Sequence, residues 1–179
     1  QDITSFRTGV YDAYGSSLML TLKMAQQAGA IVAISGDYFS AHMNHGMLII
    51  RNGQIYVDEI PKGYDTCVLY YDGVMETIND AEFDRDAILA RNPYQAWCFG
   101  PALLGEDGAA LTSFQSTIKT NNPRSAIGYF EPGHYCFVMV EGRSSKSEGM
   151  TLQELSSFFA EMGCKAAYNL DGGKTAEMV

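Results

Sequence analysis

Four short clusters along the chain combine charged or polar side chains with glycine, at or beside the ends of predicted strands. Strand ends are where α/β proteins display functional groups on a rigid support, and glycine lets a ligand approach the backbone closely. Two arginines and three carboxylates in such positions suit a substrate with one anionic centre and one developing cation. The clusters are Gly36-Asp37-Tyr38-Phe39, Asn122-Pro123-Arg124-Ser125, Glu141-Gly142-Arg143 and Asn169-Leu170-Asp171-Gly172-Gly173.

Each cluster also has a structural interpretation when it is taken alone. An Asp-Gly-Gly sequence is most often a turn, and a single arginine most often belongs to a surface ion pair. Asp37 alone is typical of a loop-capping residue, and Arg143 alone is typical of a neutralising partner for Glu141. A catalytic interpretation therefore requires the clusters to meet in one place.

Two features raise the question of a metal ion. His42 and His45 stand three positions apart, but their loop has no further close ligands, so we expect solvated histidines or a substrate rim rather than a transition-metal site. Asp37 and Asp171, together with backbone carbonyls, are candidates for a hard cation such as Ca²⁺. No cofactor is expected to be required.

The elements that must position the clusters are short strands, hairpins and about three helices. Asn52-Gly53, Asp72-Gly73 and Glu131-Pro132-Gly133 each predict a hairpin turn. The predicted strands cover residues 30–35, 47–51, 54–59, 66–71, 125–130, 135–141 and 165–170. The predicted helices run from Ser16-Ser17 to Gly29, from Asn79 or Asp80 to about Arg91, and from the Thr151 and Glu154 capping box to Gly163.

This order of elements predicts a mixed α/β (α+β) fold in one domain over residues 1–179. Its sheet is expected to be mostly antiparallel or mixed, with helices packed on it and a cavity at the surface. The glycines, 18 in number, fit the many turns that such a fold needs.

Composition excludes two classes of partner. The 179 residues include 12 Lys or Arg and 21 Asp or Glu, which gives a net charge of −9. Nucleic-acid binding needs a broad basic face, so this balance excludes it and leaves an anionic substrate to a local patch. No apolar run approaches the ~18 residues that a transmembrane helix needs.

The four cysteines are far apart in the sequence and form no Cys-x-x-Cys pair. Cys98, Cys136 and Cys164 lie in apolar surroundings, which predicts buried structural thiols. One disulfide is also compatible with the sequence, but the spacing does not assign its partners.

Taken together and in this order, the clusters resemble the phosphodiester glycosidase family. The resemblance covers nearly the whole chain and is most specific over residues 122–173. The segments that carry it are AIVAISGDYF, GMLIIRNGQIY, GPALLGEDG, NPRSAIGYF and VMVEGRSSKSEGMTLQELSSFFAEMGCKAAYNLDGG. It implies a mixed α/β domain with a surface cavity, removal of a sugar from a sugar-1-phosphodiester, and a location outside the cytoplasm, secreted or in the cell envelope.

The resemblance also implies roles for individual residues. Asp37 and Asp171 are expected to act as nucleophile or general base beside the oxocarbenium-like anomeric carbon, with Glu141 as the third candidate. The groups expected to contact phosphate or the sugar are the Arg124 and Arg143 guanidinium groups, the N–H groups of Gly172 and Gly173, Ser125 and Asn169. For Asn169 a structural role in holding the loop is an equal alternative.

The chain departs from the family pattern at three places. Glu141-Gly142-Arg143 replaces the usual Asp-Gly-Arg, and Lys174-Thr175-Ala176 replaces a run of small residues after the last Asp-Gly-Gly. Family members usually continue beyond the position of Val179, so the domain is expected to lack one or more C-terminal strands.

Two other functions remain open from the sequence. One is a metal-dependent phosphodiesterase that attacks phosphorus, and the other is a noncatalytic module that binds envelope glycans. Lys174 beside the last glycine loop favours the second of these alternatives. In all three cases the expected ligand is a small molecule or glycan.

Overall fold

This computed structural model describes residues 2–10, 19–37 and 46–179. Within these residues, three tight turns each connect two neighbouring antiparallel strands. At the first turn, Asn52 and Gly53 have positive φ angles of 52° and 82°, as a type I′ hairpin turn requires. All three predicted hairpins are confirmed. They join β1 (Leu48–Arg51) to β2 (Gln54–Asp58), β3 (Thr66–Tyr70) to β4 (Met75–Ile78), and β6 (Arg124–Glu131) to β7 (His134–Val140).

The strands form two sheets. β5 (Pro93–Cys98), which the sequence does not predict, is the central strand of a five-stranded sheet in the order β2-β1-β5-β3-β4. β8 (Ala166–Asn169) joins the third hairpin in a three-stranded sheet in the order β7-β6-β8. Every pairing between these described strands is antiparallel. The mixed α+β fold with largely antiparallel sheets is therefore confirmed.

Helices cover the outer faces of the two sheets. Ile88 of α2 (Arg85–Ala90) packs on the five-stranded sheet against Val68 and Ala96. Leu155 and Phe159 of α3 (Leu152–Glu161) pack on the three-stranded sheet. The inner faces of the sheets meet in a third cluster, formed by Cys67, Leu69, Met75, Tyr94, Trp97, Ile127, Tyr129, Ala166, Tyr168 and Leu170.

The helix boundaries differ in part from those predicted. The Thr151–Glu154 capping box of α3 is confirmed, with both reciprocal hydrogen bonds present. α1 (Thr21–Ala28) ends at Gly29 as predicted, with φ 63°, while the predicted start at residues 16 and 17 lies outside the described residues. The predicted start of α2 is wrong: Asp84 caps that helix, and Asn79 instead accepts from two N–H groups of the preceding turn.

The predicted strand over residues 30–35 is also wrong. Within it Ile34 forms only an isolated antiparallel bridge with Met178, while Ile31 is fully exposed and Val32 is 48% exposed. The N–H and C=O groups of Ala33 bond to Val179, and the Ser35 N–H donates to the Glu177 carbonyl, so the backbone pairing of this segment is limited to residues 33–35. An apolar run predicts burial, but it does not provide the neighbouring strand that a sheet requires.

No described helix is long and apolar enough to cross a bilayer: the longest, α3, has 10 residues.

Candidate active site

A buried ion pair holds Asp37 at the end of the segment that precedes the first hairpin. Nη2 of Arg51, on the last residue of β1, donates to Oδ1 and Oδ2 of Asp37 at 2.7 and 2.5 Å. The side chains are only 1% and 7% exposed. Nη1 of the same guanidinium donates to the backbone carbonyls of Ile50 and Ala96, on β1 and β5. Two strands of the rigid sheet therefore fix the orientation of the Asp37 carboxylate.

Sequence reasoning did not identify Arg51. Its only signal is a single cation at the end of an apolar strand, and that pattern is equally typical of a strand end that faces solvent. The pairing with Asp37 depends on contacts between segments that are distant in sequence.

Asp171 lies beside Asp37 and brings the first and last clusters together. Its backbone N–H donates to the Gly36 carbonyl at 2.8 Å, and its Oδ2 accepts from the Thr175 hydroxyl at 2.7 Å. Burial raises the pKa of the Asp171 carboxyl group, and the negative charge of Asp37 raises it further. Hydrogen bonds from Thr175 and from the Gly172 N–H act in the opposite direction. The result is two neighbouring carboxyl groups in different electrostatic environments.

Arg143 links the other clusters to the loop that follows Asp171. Arg143 has a positive φ of 55°, and its Nη2 donates to Oδ1 of Asn122 at 2.7 Å. A β-carbon built on Gly173 would lie 3.4 Å from both terminal nitrogens of the guanidinium. Arg143 is an exposed residue, and its guanidinium contacts the loop that contains Gly172 and Gly173.

Gly172 and Gly173 pack tightly on the cluster that contains Pro123. A β-carbon on Gly172 would lie 2.5 Å from the Pro123 carbonyl oxygen, and the Gly173 N–H donates to that oxygen at 2.9 Å. The Gly172 N–H is engaged with the Asp171 carboxyl group. Both N–H groups that the sequence assigns to an anion are therefore used inside the protein, and the glycines serve close packing.

The structure directs the Arg124 side chain toward neighbouring loops. Arg124 is 4% exposed, and its guanidinium donates to the carbonyls of Ile118, Thr120 and Met150 at 3.2, 2.6 and 3.0 Å. Burial lowers the pKa of this guanidinium. Its donors are committed to organising the chain around residues 118–120 and Met150.

Ser125 and Asn169 are buried beneath the site rather than displayed at its surface. The Asn169 side-chain amide donates to the Gly100 carbonyl at 3.0 Å. Its Oδ1 and the Ser125 hydroxyl have no hydrogen-bond partner in the described part of the chain. Both oxygens therefore belong to residues of the sequence clusters themselves.

Glu141 lies on an exposed loop that packs against the Pro123 cluster. Its backbone carbonyl accepts from the Ser147 hydroxyl at 2.7 Å. A β-carbon on Gly142 would lie 2.9 Å from the Pro123 nitrogen, so the loop approaches that backbone very closely. Glu141 is an exposed residue.

Two clefts in the described ranges lie away from these residues. One is lined by α3 residues such as Gln153 and Phe158, and the other by residues around 81–86. Tyr38, Phe39, His42 and His45 lie outside the described residues. Within 2–10, 19–37 and 46–179, no group of three or more His, Cys, Asp or Glu side chains is arranged to hold a metal ion.

Comparison with known proteins gives consistent matches over most of the chain. The profile of the family described as phosphodiester glycosidase matches residues 28–179. An uncharacterised protein derived from the SPbeta prophage of Bacillus subtilis (strain 168) is 30% identical over 162 residues, which are 87% of this chain and 25% of that protein.

Two solved structures share the fold. The catalytic domain of zebrafish N-acetylglucosamine-1-phosphodiester α-N-acetylglucosaminidase, auto-inhibited by its pro-peptide, matches with a TM-score of 0.72 and 21% identity, over 91% of this chain and 57% of that chain. A hypothetical protein from Synechocystis matches with a TM-score of 0.57 and 14% identity, over 91% and 50%. The chain thus spans a quarter to little more than half of these relatives.

Proposed function

Because the chain belongs to the phosphodiester glycosidase family, we propose that it hydrolyses the C1–O bond of a sugar-1-phosphodiester, such as one of N-acetylglucosamine. The products are the free sugar and a phosphomonoester. The observation that carries the proposal is the pair of Asp37 and Asp171, two adjacent carboxyl groups with different partners.

The two carboxyl groups suit different tasks at the anomeric carbon. Asp37 is oriented by Arg51 and presents a carboxylate that stabilises, or attacks, a carbon that develops positive charge. Burial raises the pKa of the Asp171 carboxyl group, which suits a group that accepts or donates a proton during the reaction. Glu141 is the third candidate, either for the carboxylate at the anomeric carbon or for the proton-transfer group, because its loop contacts the same Pro123 cluster.

The bond to be broken explains the need for a cation nearby. A phosphomonoester leaving group has a second pKa of ~6, so its departure depends less on protonation and more on stabilisation of negative charge. Arg143 supplies a forked donor for phosphate oxygens beside the Gly173 loop, and Asn122 holds it in place. Arg124 supports this arrangement indirectly, because its guanidinium donates to the Thr120 carbonyl and so fixes a neighbouring loop.

The site of action follows from the family resemblance. We propose that the protein works outside the cytoplasm, in the cell envelope or as a secreted protein, on a soluble or glycan-linked phosphodiester. The reaction as written needs no cofactor. A hard cation such as Ca²⁺ on Asp37 and Asp171 would have to compete with Arg51 for the Asp37 oxygens.

Product analysis tests the proposal. The protein is incubated with an N-acetylglucosamine-1-phosphodiester, and the free sugar, the sugar 1-phosphate and the phosphomonoester are quantified by mass spectrometry. We expect equal amounts of free sugar and phosphomonoester, made equally well with a chelator. Asp171→Asn should lower turnover by at least ~10², whereas Glu161→Gln, at an exposed position of α3, should retain it. Accumulation of the sugar 1-phosphate, or complete inhibition by the chelator, would instead support attack at phosphorus. Tight binding without product would support a glycan-binding module.

A further inference from the structure

The Thr175 hydroxyl lies between two acceptors on the loop that carries Asp171. Thr175 is the last residue of the short 3₁₀ helix Gly173–Thr175. Its Oγ1 lies 2.7 Å from Oδ2 of Asp171 and 2.8 Å from the backbone carbonyl oxygen of Gly172. A hydroxyl has one proton, so it donates to only one of these oxygens at a time, and its own oxygen can accept a hydrogen bond as well.

This arrangement provides a partner for Asp171 in both of its protonation states. An ionised carboxylate is a stronger acceptor than a carbonyl, so it takes the hydrogen bond of the Thr175 hydroxyl. When Oδ2 of Asp171 carries a proton, that O–H can donate to Oγ1 of Thr175, while the hydroxyl turns to the Gly172 carbonyl. The carboxyl group can therefore gain or lose a proton without a change in its orientation.

Ser35 connects Thr175 to the segment that ends at Asp37. The Ser35 hydroxyl donates to the Thr175 backbone carbonyl. The next residue, Gly36, accepts from the Asp171 N–H at 2.8 Å. Thr175 and Asp171 are therefore both held against the same two residues of backbone, directly before Asp37.

Several charged and polar groups act on Asp171 together with this hydroxyl. Burial and the negative charge of Asp37 raise the pKa of the Asp171 carboxyl group, whereas the Thr175 hydroxyl and the Gly172 N–H lower it. Asp37 is itself paired with Arg51. The loops around Asp171 also carry the charged side chains of Arg143, Lys174 and Glu177. A substitution at Thr175 leaves all these groups in the chain, so the contribution of its hydroxyl can be measured separately.

We propose that Thr175 is the positioning residue for Asp171, with a hydroxyl that holds the carboxyl group in one orientation whether or not it carries a proton. Ser35 in turn fixes Thr175 relative to the Asp37 segment. Thr175 acts through Asp171 and contacts neither reacting atom of the substrate. The inference rests on the proposed hydrolysis, in which Asp171 transfers the proton.

Steady-state kinetics with a sugar-1-phosphodiester tests the proposal. Thr175→Val keeps the size of the side chain and removes the hydroxyl at an exposed position. Because a hydrogen bond to a charged group is lost, kcat should fall at least ~10-fold, while KM stays close to the wild-type value. Thr175→Ser keeps a hydroxyl and should restore most of kcat. Thr112→Val, the same exchange at an exposed position outside the four clusters, is the matched control and should leave kcat unchanged.

Two kinetic results would overturn the proposal. One is a wild-type kcat in Thr175→Val. The other is a loss of kcat in Thr175→Ser that is as large as the loss in Thr175→Val, because the hydroxyl would then not be the group that matters.

A titration without substrate separates this inference from the hydrolase proposal. The Asp171 carboxyl carbon is followed by ¹³C NMR as the pH changes, and the spectrum of Asp171→Asn identifies its signal. The hydroxyl stabilises the charged carboxylate more than the neutral acid, so Thr175→Val should raise the pKa of Asp171 by about 1, and Thr175→Ser should not. An unchanged pKa in Thr175→Val would contradict the positioning role, whether or not the protein hydrolyses the substrate. A raised pKa in a protein that releases no sugar would support the contact with Asp171 and count against the hydrolase proposal alone.

Discussion

The guanidinium of Arg51 donates from one nitrogen to both carboxylate oxygens of Asp37, and both side chains are more than nine-tenths buried. Taking two charges out of water costs about as much free energy as their attraction returns, so such a pair contributes little net stability. Its value lies in orientation, because Arg51 is itself held by carbonyls of two central strands. We therefore assign Arg51 as the positioning residue for the proposed catalytic carboxylate.

Removal of Arg51 should be strongly destabilising. Arg51→Met leaves the buried Asp37 carboxylate without its partner, which should lower the free energy of unfolding by about 3–5 kcal/mol. In the double variant with Asp37→Asn the unpaired charge is gone, so a large part of this loss should be recovered. Urea denaturation of the two single variants and the double variant measures the coupling; additive losses would show that the pair does not interact as described.

Asp37→Asn and Asp171→Asn should each lower kcat by at least ~10², because each removes a group that acts at the reacting carbon. Steady-state kinetics with Glu161→Gln as the matched carboxylate-to-amide control measures the effect. Full activity in either aspartate variant would remove that residue from the catalytic assignment. Glu141→Gln, measured in parallel, identifies which carboxyl group takes the role instead.

The two arginines should separate into a functional and a structural residue. Arg143 is exposed beside the glycine loop, so Arg143→Ala should reduce kcat by ~10²–10³ while the free energy of unfolding stays close to wild type. Arg124 is itself buried and donates to three backbone carbonyls, so Arg124→Ala should instead cost about 2–4 kcal/mol of stability. Kinetics and urea denaturation on both variants give the comparison. A stable Arg124→Ala protein with a large loss of kcat would restore Arg124 as a phosphate contact.

The pH dependence of stability should report the Asp171 environment. The pKa of Asp171 is higher in the folded protein than its ordinary value near 3.8, so binding of a proton to Asp171 favours the folded state. This stabilisation is complete when the pH is below that ordinary pKa, and it is lost as the pH rises through the raised pKa of the folded protein. The Asp171→Asn variant has no carboxyl group at this position, so its stability lacks this contribution from proton binding. The variant should therefore gain stability relative to wild type as the pH rises from about 4 toward neutrality. A difference in unfolding free energy that stays constant over this range would contradict the assignment.

Local sequence predicts the parts of the fold that depend on local geometry. The Asn52-Gly53 turn and the Thr151 capping box are set by backbone angles and by side chains within a few residues, and both are confirmed. The 30–35 segment fails because burial of a strand depends on a distant partner, which Ile31 and Val32 lack in the described residues. β5 is missed for the related reason that its place between β1 and β3 is a tertiary property.

The same distinction applies to the site. The residue types and their order in the sequence indicate the four clusters. The structure then brings Asp37 next to Asp171 and Arg143 next to Gly173. Sequence does not indicate that the Arg124 guanidinium turns into neighbouring loops, or that Arg51 pairs with Asp37. Which partner a charged side chain finds depends on chain segments dozens of residues away.

Hydrolysis of a sugar-1-phosphodiester in ¹⁸O-labelled water tests the central claim most directly, because it identifies the atom that water attacks. If Asp37 and Asp171 act at the anomeric carbon, the label must appear on the released sugar and be absent from the phosphomonoester. Label on the phosphomonoester would place the attack at phosphorus and contradict the account.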